Sequence, residues 1–319
     1  MKVFKMLKKY SSYLIAILFL GVFFFLLLQV NYTREIAKNI YYFAFKETLK
    51  QSFSNCVPDN LKSNNFKTLL VAGHTYGIGN HTNNATYPKF LYALEHELLK
   101  VKNNKKIDKI ILAGDIVKEA RIKNFLEVKE KIEKFTDEII VAPGNHDFGP
   151  NILGDKSHEN DFLKVFNKNY AEIDFNNSIF FILDTASNFG NIPTEQINLI
   201  TNKLKIKNKF KNIFIITHHV VWSEMMNKRG IKISPNLPQI KNNNFNKFYS
   251  VIKKFSNKAN VYLISGDIAV APGHSKLFCE KDNNFFFIAT GMGNGRLDNY
   301  LKIKISKDGE KIKIEPIFF

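Results

Sequence analysis

The chain has 319 residues, a hydrophobic content of 45% and a formal net charge of +17. This length and apolar content are enough for one large domain with a sizeable core and a short appendage. Two cysteines, Cys56 and Cys279, are too few for a disulfide framework, and neither lies in the C-x-x-C spacing of a thiolate zinc site. A single bridge between them is compatible with an oxidising compartment.

The excess of positive charge favours anionic partners such as phospholipid head groups, phosphorylated glycans or nucleic acid. Four lysines within residues 1–9 carry part of it, which leaves +13 for the rest of the chain. Lysines alternate with other residues over 203–211, a pattern typical of solvated surface. No nucleic-acid-binding motif accompanies the charge, so we predict no nucleic-acid partner.

The first predicted element is a membrane-spanning helix over Tyr10–Thr33. This segment has no charged residue, is rich in apolar residues, and is long enough to cross a hydrocarbon core about 30 Å thick. The lysines within residues 1–9 favour a cytoplasmic N-terminus, which would place everything after Thr33 outside a bacterial cytoplasmic (inner) membrane. The alternatives are a buried core helix and a cleaved signal peptide, although the stretch is long and no A-x-A-like site precedes Arg34.

The segment after the span is predicted to lead into the globular domain. Apolar residues interleaved with Lys and Glu predict an amphipathic helix over Arg34–Phe53, at the membrane surface or between membrane and domain. The polar stretch Ser54–Phe66, which contains Pro58, is predicted to be a linker. We expect the domain itself over residues 67–319.

Strands and helices are predicted to alternate through most of this domain. The predicted strands cover Thr68–Ala72, Ile107–Ala113, Glu138–Ala142, Ser178–Leu183, Asn212–Ile216, Asn260–Ile264 and Phe285–Ala289. The predicted helices cover Pro88–Val101, Lys118–Phe135, Glu195–Lys205 and Asn246–Phe255. This order is typical of an α/β fold with a largely parallel sheet. Near the C-terminus, strict alternation on both sides of Asp308-Gly309 predicts a β-hairpin.

Short polar clusters follow four of the predicted strands. They are Gly114-Asp115, Gly144-Asn145-His146-Asp147, Thr217-His218-His219 and Ser265-Gly266-Asp267. Loops at the carboxyl ends of buried strands are where open α/β sheets place their ligands. Asp, Asn and His offer oxygen and nitrogen donors suited to Zn, Mn or Fe, so the sequence predicts a metal site built from strand ends.

In this order the clusters resemble the motifs of the calcineurin-like metallophosphoesterases, D-x-H, G-D, G-N-H-D/E, a later His and G-H-x-H. Two of the five blocks differ. The first keeps His74 but has Ala72 in place of its Asp, while the last has Asp267 and Ala269 in place of its two His. The resemblance covers residues 67–319 and implies a four-layer αββα sandwich that hydrolyses phosphoesters.

The resemblance implies one complete metal site and one depleted site. The complete site consists of Asp115, Asn145, His218 and Asp267. An oxygen donor in place of an imidazole moves the metal preference towards Mn, Mg or Fe over Zn. Only His74 and the shared Asp115 remain for a second ion. We therefore expect one tightly bound divalent ion and a second site that is weak, substrate-assisted or absent.

Further residues are assigned around these ligands. By the same resemblance, His146 is the general acid or charge stabiliser that faces the phosphate and the leaving group, and Asp147 orients it. Candidate additional ligands, which lie next to a motif residue or close in sequence to an altered block, are His219, His81 and His274.

Several of these segments also have ordinary structural interpretations. Gly-Asp and Gly-Asn-His-Asp occur in turns, so the metal prediction depends on their order and strand context together. Asp184 is predicted to be a structural carboxylate that caps the turn at Thr185. Gly291–Gly295 lacks the full G-x-G-x-x-G spacing and is predicted to be a tight return turn.

The function predicted from the sequence is that of a membrane-tethered, metal-dependent phosphoesterase whose domain faces away from the cytoplasm. Its expected partners are the membrane, through the N-terminal helix, and an envelope phosphoester substrate that is lipid- or glycan-linked. Two alternatives stay open. One is a catalytically degenerate binding or scaffold protein of an envelope polysaccharide or export system, and the other is a metal-dependent carbon-ester hydrolase.

Overall fold

The computed structural model describes residues 2–59, 65–76, 88–100, 107–149, 155–206, 210–237, 244–270, 273–293 and 295–319, with side chains before residue 29 described only at Leu20. The chain divides into two compact units, Met1–Thr48 and Leu49–Phe319.

The first unit is part of one long helix, α1, which covers Lys2–Cys56 and continues into the second unit. Helix α1 contains both the predicted span and the predicted amphipathic helix. Most side chains of the predicted span Tyr10–Thr33 lie outside the described residues. Among the residues that are described, no helix is both long enough and apolar enough to cross a membrane.

The second unit contains strands in two sheets. These are β1 (Phe66–Ala72), β2 (Lys109–Ala113), β3 (Ile139–Ala142), β4 (Ala171–Phe175), β5 (Ser178–Ile182), β6 (Asn212–Thr217), β7 (Asn260–Ser265), β8 (Phe278–Asp282), β9 (Phe285–Ala289), β10 (Asn299–Ser306) and β11 (Ile312–Phe318). Its helices are α2 (Pro88–Lys100), α3 (Ile122–Glu133), α4 (Asn145–Phe148), α5 (Glu159–Phe166), α6 (Thr194–Ile206), α7 (Ser223–Lys228) and α8 (Phe245–Ile252), which a 3₁₀ turn over Lys253–Asn257 follows.

The first sheet has antiparallel strands at one edge only, whereas the second has a parallel centre and an antiparallel strand at each edge. The first has the order β11-β10-β1-β2-β3, with β1, β2 and β3 parallel and the predicted C-terminal hairpin, β10–β11, at one edge. The second has the order β4-β5-β6-β7-β9-β8, with β5, β6, β7 and β9 parallel. Parallel strands have their carboxyl ends on the same side, so the loops after them meet at one edge.

Each sheet shares an apolar core with its own helices. Helices α2, α3 and α5 contribute to the core of the first sheet, and α6, α7 and α8 to that of the second. On the second sheet a row of stacked rings, Phe180, Phe214, Tyr262 and Phe286, lies outside this helix-facing core. The mixed α/β fold with two sheets is confirmed, and it fits the predicted metallophosphoesterase type.

Some boundaries differ from the sequence prediction. The stretch predicted to be a linker is partly structured, because α1 continues to Cys56, Val57 is buried and Phe66 already belongs to β1. Cys56 forms a disulfide with Cys279 of β8. Edge strands β4 and β8 were not predicted, since their alternating or polar sequences carry no continuous apolar run.

Candidate metal centre

The predicted polar clusters meet where loops from both sheets come together. Asp115 follows β2, Asn145 begins the short helix after β3, and His218 and Asp267 follow β6 and β7. All four residues are buried, with at most 3% of their surface exposed. The motif order therefore corresponds to a single place in the fold, as the sequence predicted.

Glycines permit this close approach of the loops. A Cβ atom on Gly73 would lie 2.3 Å from the Cα of Gly266, and one on Gly266 would lie 1.9 Å from the carbonyl oxygen of Ala113. These contacts join the ends of β1 and β2 in the first sheet to the end of β7 in the second. A side chain at either glycine would push apart the loops that carry the candidate ligands.

The carboxylate of Asp115 lies between two imidazoles. Its Oδ2 is 3.4 Å from Nε2 of His74, and its Oδ1 is 3.4 Å from Nε2 of His218. Asp115 Oδ1 also accepts a hydrogen bond of 3.1 Å from the backbone N–H of His146. Burial opposes the charge, but His218 and the other histidines hold the pKa of Asp115 well below its ordinary value.

Backbone strain is concentrated at the same residues. Asp115 and His74 have φ angles of 52° and 55°, in the left-handed region that non-glycine residues seldom adopt. The N–H of His74 donates to the carbonyl oxygen of Gly114 at 2.9 Å, which ties the two strained turns together. Strain of this kind persists only where the surrounding structure enforces it, and it is common at functional sites.

His218 is oriented by the backbone. Its Nδ1 donates to the carbonyl oxygen of Ala113 at 3.0 Å, which directs Nε2 towards the carboxylates. Nε2 is buried and has no hydrogen-bond partner in the described part of the chain. Burial lowers the pKa of His218, but Asp115 and Asp267 outweigh this effect and raise it to about 10. Without a metal, the protonated imidazole is the counter-charge of these carboxylates.

Asp267 completes this side of the site. Its Oδ1 is 3.9 Å from Nε2 of His218, and its Oδ2 accepts a hydrogen bond from the N–H of Leu237 at 3.2 Å. Burial raises the pKa of the Asp267 carboxyl to about 7. A second carboxylate therefore lies next to Asp115 at a position where the resembled motif has a histidine.

The spacing of the donors around Asp115 matches metal coordination in part. Two donors bound about 2.1 Å from a tetrahedral metal are separated by about 3.4 Å, which is the spacing of Asp115 from each imidazole. Within the described ranges, no group of three or more His, Cys, Asp or Glu side chains is arranged so that it could hold a metal ion. Asp267 is turned onto the Leu237 amide and lies 3.9 Å from His218, farther than the 3.4 Å between Asp115 and each imidazole.

The other half of the site is the one for which the sequence predicts few ligands. Ala72 and Ala269 are buried beside it and offer no donor atom. His74 is buried, its Nδ1 has no hydrogen-bond partner among the described residues, and burial lowers its pKa to about 4. His274 lies 3.0 Å from Oδ1 of Asn236 through its Nδ1, and His81 is outside the described residues.

His146 and Asp147 each form hydrogen bonds with backbone groups. The half-buried His146 donates from Nδ1 to the carbonyl oxygen of Lys118 at 3.0 Å, so a backbone group orients it. That Asp147 orients His146 stays a prediction, since the hydrogen bonds described for Asp147 go to backbone amides. The buried carboxylate of Asp147 accepts hydrogen bonds from the N–H groups of Gly144, Ile116 and Val117, at 2.8, 3.0 and 3.3 Å. Burial and the nearby Asp115 raise the pKa of Asp147 to about 7.

Three further residues have structural partners. His219 is buried, with its Nδ1 2.8 Å from the hydroxyl of Thr185 and its ring 4.7 Å from that of His218. Asp184 accepts a hydrogen bond from the N–H of Ser187 at 2.9 Å, in agreement with the predicted capping role. In the turn after β9, Asp298 accepts from the N–H groups of Gly293 and Gly295, so these amides hold a carboxylate of the chain itself.

Sequence reasoning missed two residues at the site. Asn236 donates from Nδ2 to the carbonyl oxygen of Ile268 and accepts at Oδ1 from the N–H of Val270, so it braces the loop that carries Asp267. Tyr76 packs between the rings of His74 and His146. Neither is a ligand position of a motif, although Tyr76 lies only two positions after His74.

Comparison with solved structures shows a likeness of fold. One solved structure similar to this chain is purple acid phosphatase PPD1 from yellow lupin (Lupinus luteus) seeds, with a TM-score of 0.53 and 14% identity. The match covers 82% of this chain and 53% of the lupin chain, so the present chain spans about half the length of that protein. At this identity the likeness concerns the fold alone. No curated protein matches.

The family comparison is more specific. A model described as calcineurin-like phosphoesterase matches residues 80–242, which is just over half of the chain. This range contains Asp115, Asn145 and His218, whereas both altered blocks lie outside it. The chain belongs to the calcineurin-like phosphoesterase family.

Proposed function

We propose that this protein is a metal-dependent phosphoester hydrolase that works through one tightly bound divalent ion. The observation that carries the proposal is the buried Asp115 carboxylate, which has one oxygen facing His74 and the other facing His218. Asp115, Asn145, His218 and Asp267 would hold the ion. We further propose that a helix at the N-terminus anchors the chain in a membrane, with the domain outside the cytoplasm and an envelope lipid or glycan phosphoester as substrate.

The chemistry requires positive charge and a proton donor. A divalent cation, when bound, would supply positive charge that offsets the negative charge of the phosphoryl oxygens, and it would lower the pKa of a bound water to near neutrality. Ala113 fixes His218 with Nε2 turned towards the site. The carbonyl oxygen of Lys118 accepts the hydrogen bond from Nδ1 of His146. The other ring nitrogen, Nε2, therefore remains to donate a proton to the departing oxygen.

Two features support the proposed location. The segment Tyr10–Thr33 has no charged residue and follows a lysine-rich start, a combination that favours a cytoplasmic N-terminus. The disulfide between Cys56 and Cys279 is of a kind that persists in oxidising compartments. A domain exposed to the cell envelope would meet lipid- and glycan-linked phosphoesters.

Activity is tested with the full chain purified in detergent and supplied with Mn²⁺. We expect hydrolysis of p-nitrophenyl phosphate or its diester, and one equivalent of bound metal. Asp115→Asn should lose both, because an amide cannot supply two anionic oxygens, while Asp137→Asn at an exposed position should lose neither. An Asp115→Asn variant as active as the wild type would contradict the proposal. Acetyl esters assayed in parallel would reveal a carbon-ester hydrolase.

The anchor is tested in cells. The full chain should remain in the membrane fraction after alkaline carbonate extraction, and a chain that starts at Arg34 should be released. A protease added to spheroplasts should digest the domain. Recovery of the full chain in the soluble fraction, or protection of the domain from protease, would contradict the anchor or its orientation.

A second candidate function is that of a scaffold protein whose catalysis has been lost. It is favoured by the buried, donor-free Ala72 and Ala269 at positions where the resembled motifs have ligands. Metal content separates the two candidates. Protein purified without chelator that contains no metal and does not bind added Mn²⁺ would favour the scaffold, whereas one bound metal with activity favours the hydrolase.

A further inference from the structure

Tyr76 is a buried aromatic residue at the candidate site with no role in the motifs. Its side chain is 9% exposed, and its ring centroid lies 4.5 Å from that of His74 and 5.2 Å from that of His146. The ring is tilted by 40° to the first imidazole and by 59° to the second. One tyrosine therefore contacts both the remaining histidine of the depleted half-site and the candidate proton donor.

The position of Tyr76 is fixed by the same loops that hold the ligands. It lies two residues after the strained turn at His74, and its N–H is 3.5 Å from the carbonyl oxygen of Asp115. Burial, together with the carboxylates of Asp115, Asp147 and Asp267, raises the pKa of its phenol above the ordinary value. The side chain is thus an uncharged phenol at neutral pH.

His146 has two described contacts through its ring. The carbonyl oxygen of Lys118 accepts a hydrogen bond from Nδ1, and Tyr76 packs against the ring. The hydrogen bond fixes the ring at Nδ1 only, and the residue is half-buried, so packing against the ring face is a second constraint on its orientation. An aromatic ring in contact restricts rotation of the imidazole and directs Nε2.

We propose that Tyr76 is a positioning residue that holds the His146 imidazole in the orientation needed to protonate the leaving group. The role depends on the ring and does not require the hydroxyl. This inference rests on the proposed phosphoester hydrolysis, and it names the residue that makes His146 effective on poor leaving groups.

Leaving-group dependence distinguishes this role from a structural one. An aryl phosphate such as p-nitrophenyl phosphate departs readily without a proton, whereas an alkyl phosphate such as glycerol phosphate needs one. Loss of proton donation should therefore lower kcat for the alkyl ester far more than for the aryl ester. A general loss of structure or metal would lower both equally.

The experiment compares Tyr76→Leu, Tyr76→Phe, His146→Ala and the double variant Tyr76→Leu/His146→Ala in the full Mn²⁺-loaded chain. We expect Tyr76→Leu to lower kcat for glycerol phosphate by about 10-fold or more and for p-nitrophenyl phosphate by less than about 3-fold, with KM unchanged. Tyr76→Phe should retain wild-type kinetics. The double variant should be no slower than His146→Ala, since both changes remove one function.

Other results would overturn the inference. They are an equal loss on both esters in a Tyr76→Leu chain that retains its metal, a Tyr76→Phe variant as slow as Tyr76→Leu, or additive effects in the double variant. If Tyr76→Leu does not fold, Tyr76→Met, which keeps bulk without an aromatic ring, is measured in its place with the same expectation. A wild-type chain that hydrolyses neither ester contradicts the proposed function itself and is recognised by that result alone.

Discussion

Asn236 shows how a residue outside every motif can determine the position of a ligand. Its backbone N–H donates to the carbonyl oxygen of Asp267 at 2.9 Å, and its side chain bonds Ile268 and Val270 at 3.2 and 2.9 Å. These three bonds fix the loop after β7, in which Ala269 has a φ of 79°. The carboxylate of Asp267 is held at the site mainly through this asparagine and the neighbouring Leu237 amide.

We expect Asn236→Leu to weaken binding of Mn²⁺ by about 10- to 100-fold, because groups that orient a metal ligand contribute to affinity on this scale. Isothermal titration of metal-free protein at a fixed pH measures the change. Asn202→Leu, at an exposed position on α6, serves as the matched control and should bind as the wild type does. Equal affinities for the two variants would show that the loop does not need Asn236.

Asp147 illustrates the limit of a motif at the residue scale. Its place after His146 suggested that the two side chains interact, but its carboxylate holds backbone amides of two separate loops. A carboxylate at this position has three backbone N–H partners in the structure. Its partners are Gly144, three positions earlier, and Ile116 and Val117, about thirty positions earlier, and the spacing along the chain could not identify the latter pair.

The loops between elements determine how closely the two sheets approach at the site. Gly73 and Gly266 face each other, and Gly266 faces Ala113, at distances that exclude any side chain. The strands that carry these loops belong to different sheets. Their packing at this edge therefore depends on glycine at two positions.

We expect Gly266→Ala to destabilise the fold by at least about 2 kcal/mol and to lower metal affinity, because its Cβ would collide with backbone that cannot rotate away. Gly273→Ala is the control, since a Cβ there meets nothing within 4 Å. Urea unfolding of both variants gives the comparison. A Gly266→Ala chain with wild-type stability and metal content would disprove this account of the loop contact.

The turn after β9 contains a carboxyl group that should make stability depend on pH. Burial raises the pKa of Asp298 to about 6, although the N–H groups of Gly293 and Gly295 act against the shift. The folded state then binds this proton more tightly than the unfolded chain does. The resulting stabilisation is present in acid and is lost as the pH rises through about 6.

We therefore expect the wild type to gain about 1 kcal/mol relative to Asp298→Asn when the pH falls from about 7 to about 5. Urea unfolding at both pH values gives the change in unfolding free energy with pH for each protein, and the two changes are compared. Because only this difference is compared, the change in hydrogen bonding at the asparagine cancels. The same change of unfolding free energy with pH in both proteins would mean that the pKa of Asp298 is near its ordinary value in the folded protein.

At the scale of the molecule, the disulfide joins distant parts of the globular unit. Cys56 is the last residue of α1 and Cys279 lies on β8, at a sequence separation of 223. Closing so long a loop reduces the conformational freedom of the unfolded chain, which contributes about 3 to 5 kcal/mol in the chain-entropy description.

Reduction should accordingly lower the unfolding free energy of the wild type by about 3 to 5 kcal/mol. The measurement is urea unfolding with and without dithiothreitol. A Cys56→Ala/Cys279→Ala chain should be as stable as the reduced wild type and should not respond to the reductant. No effect of dithiothreitol on the wild type would show that the thiols are unpaired in solution.

The sequence by itself determined most of the strands, the α/β class and the motif residues that meet at the site. Apolar runs of β-branched residues and the polar residues that end them are local signals, so β1, β2, β3, β6 and β7 and the loops after them could be predicted. The edge strands β4 and β8 carry no such run. They form because a neighbouring strand offers hydrogen bonds, and that partner lies outside the segment itself.

Only the tertiary structure decided how the site is arranged. The two sheets bring Asp115 between His74 and His218, turn Asp147 onto backbone amides, and place Asn236 and Tyr76 beside residues far from them in the chain. Most of these contacts join groups that lie on different loops. Their geometry is set by the packing of two separate cores and by glycines at the closest approach, which no local pattern encodes.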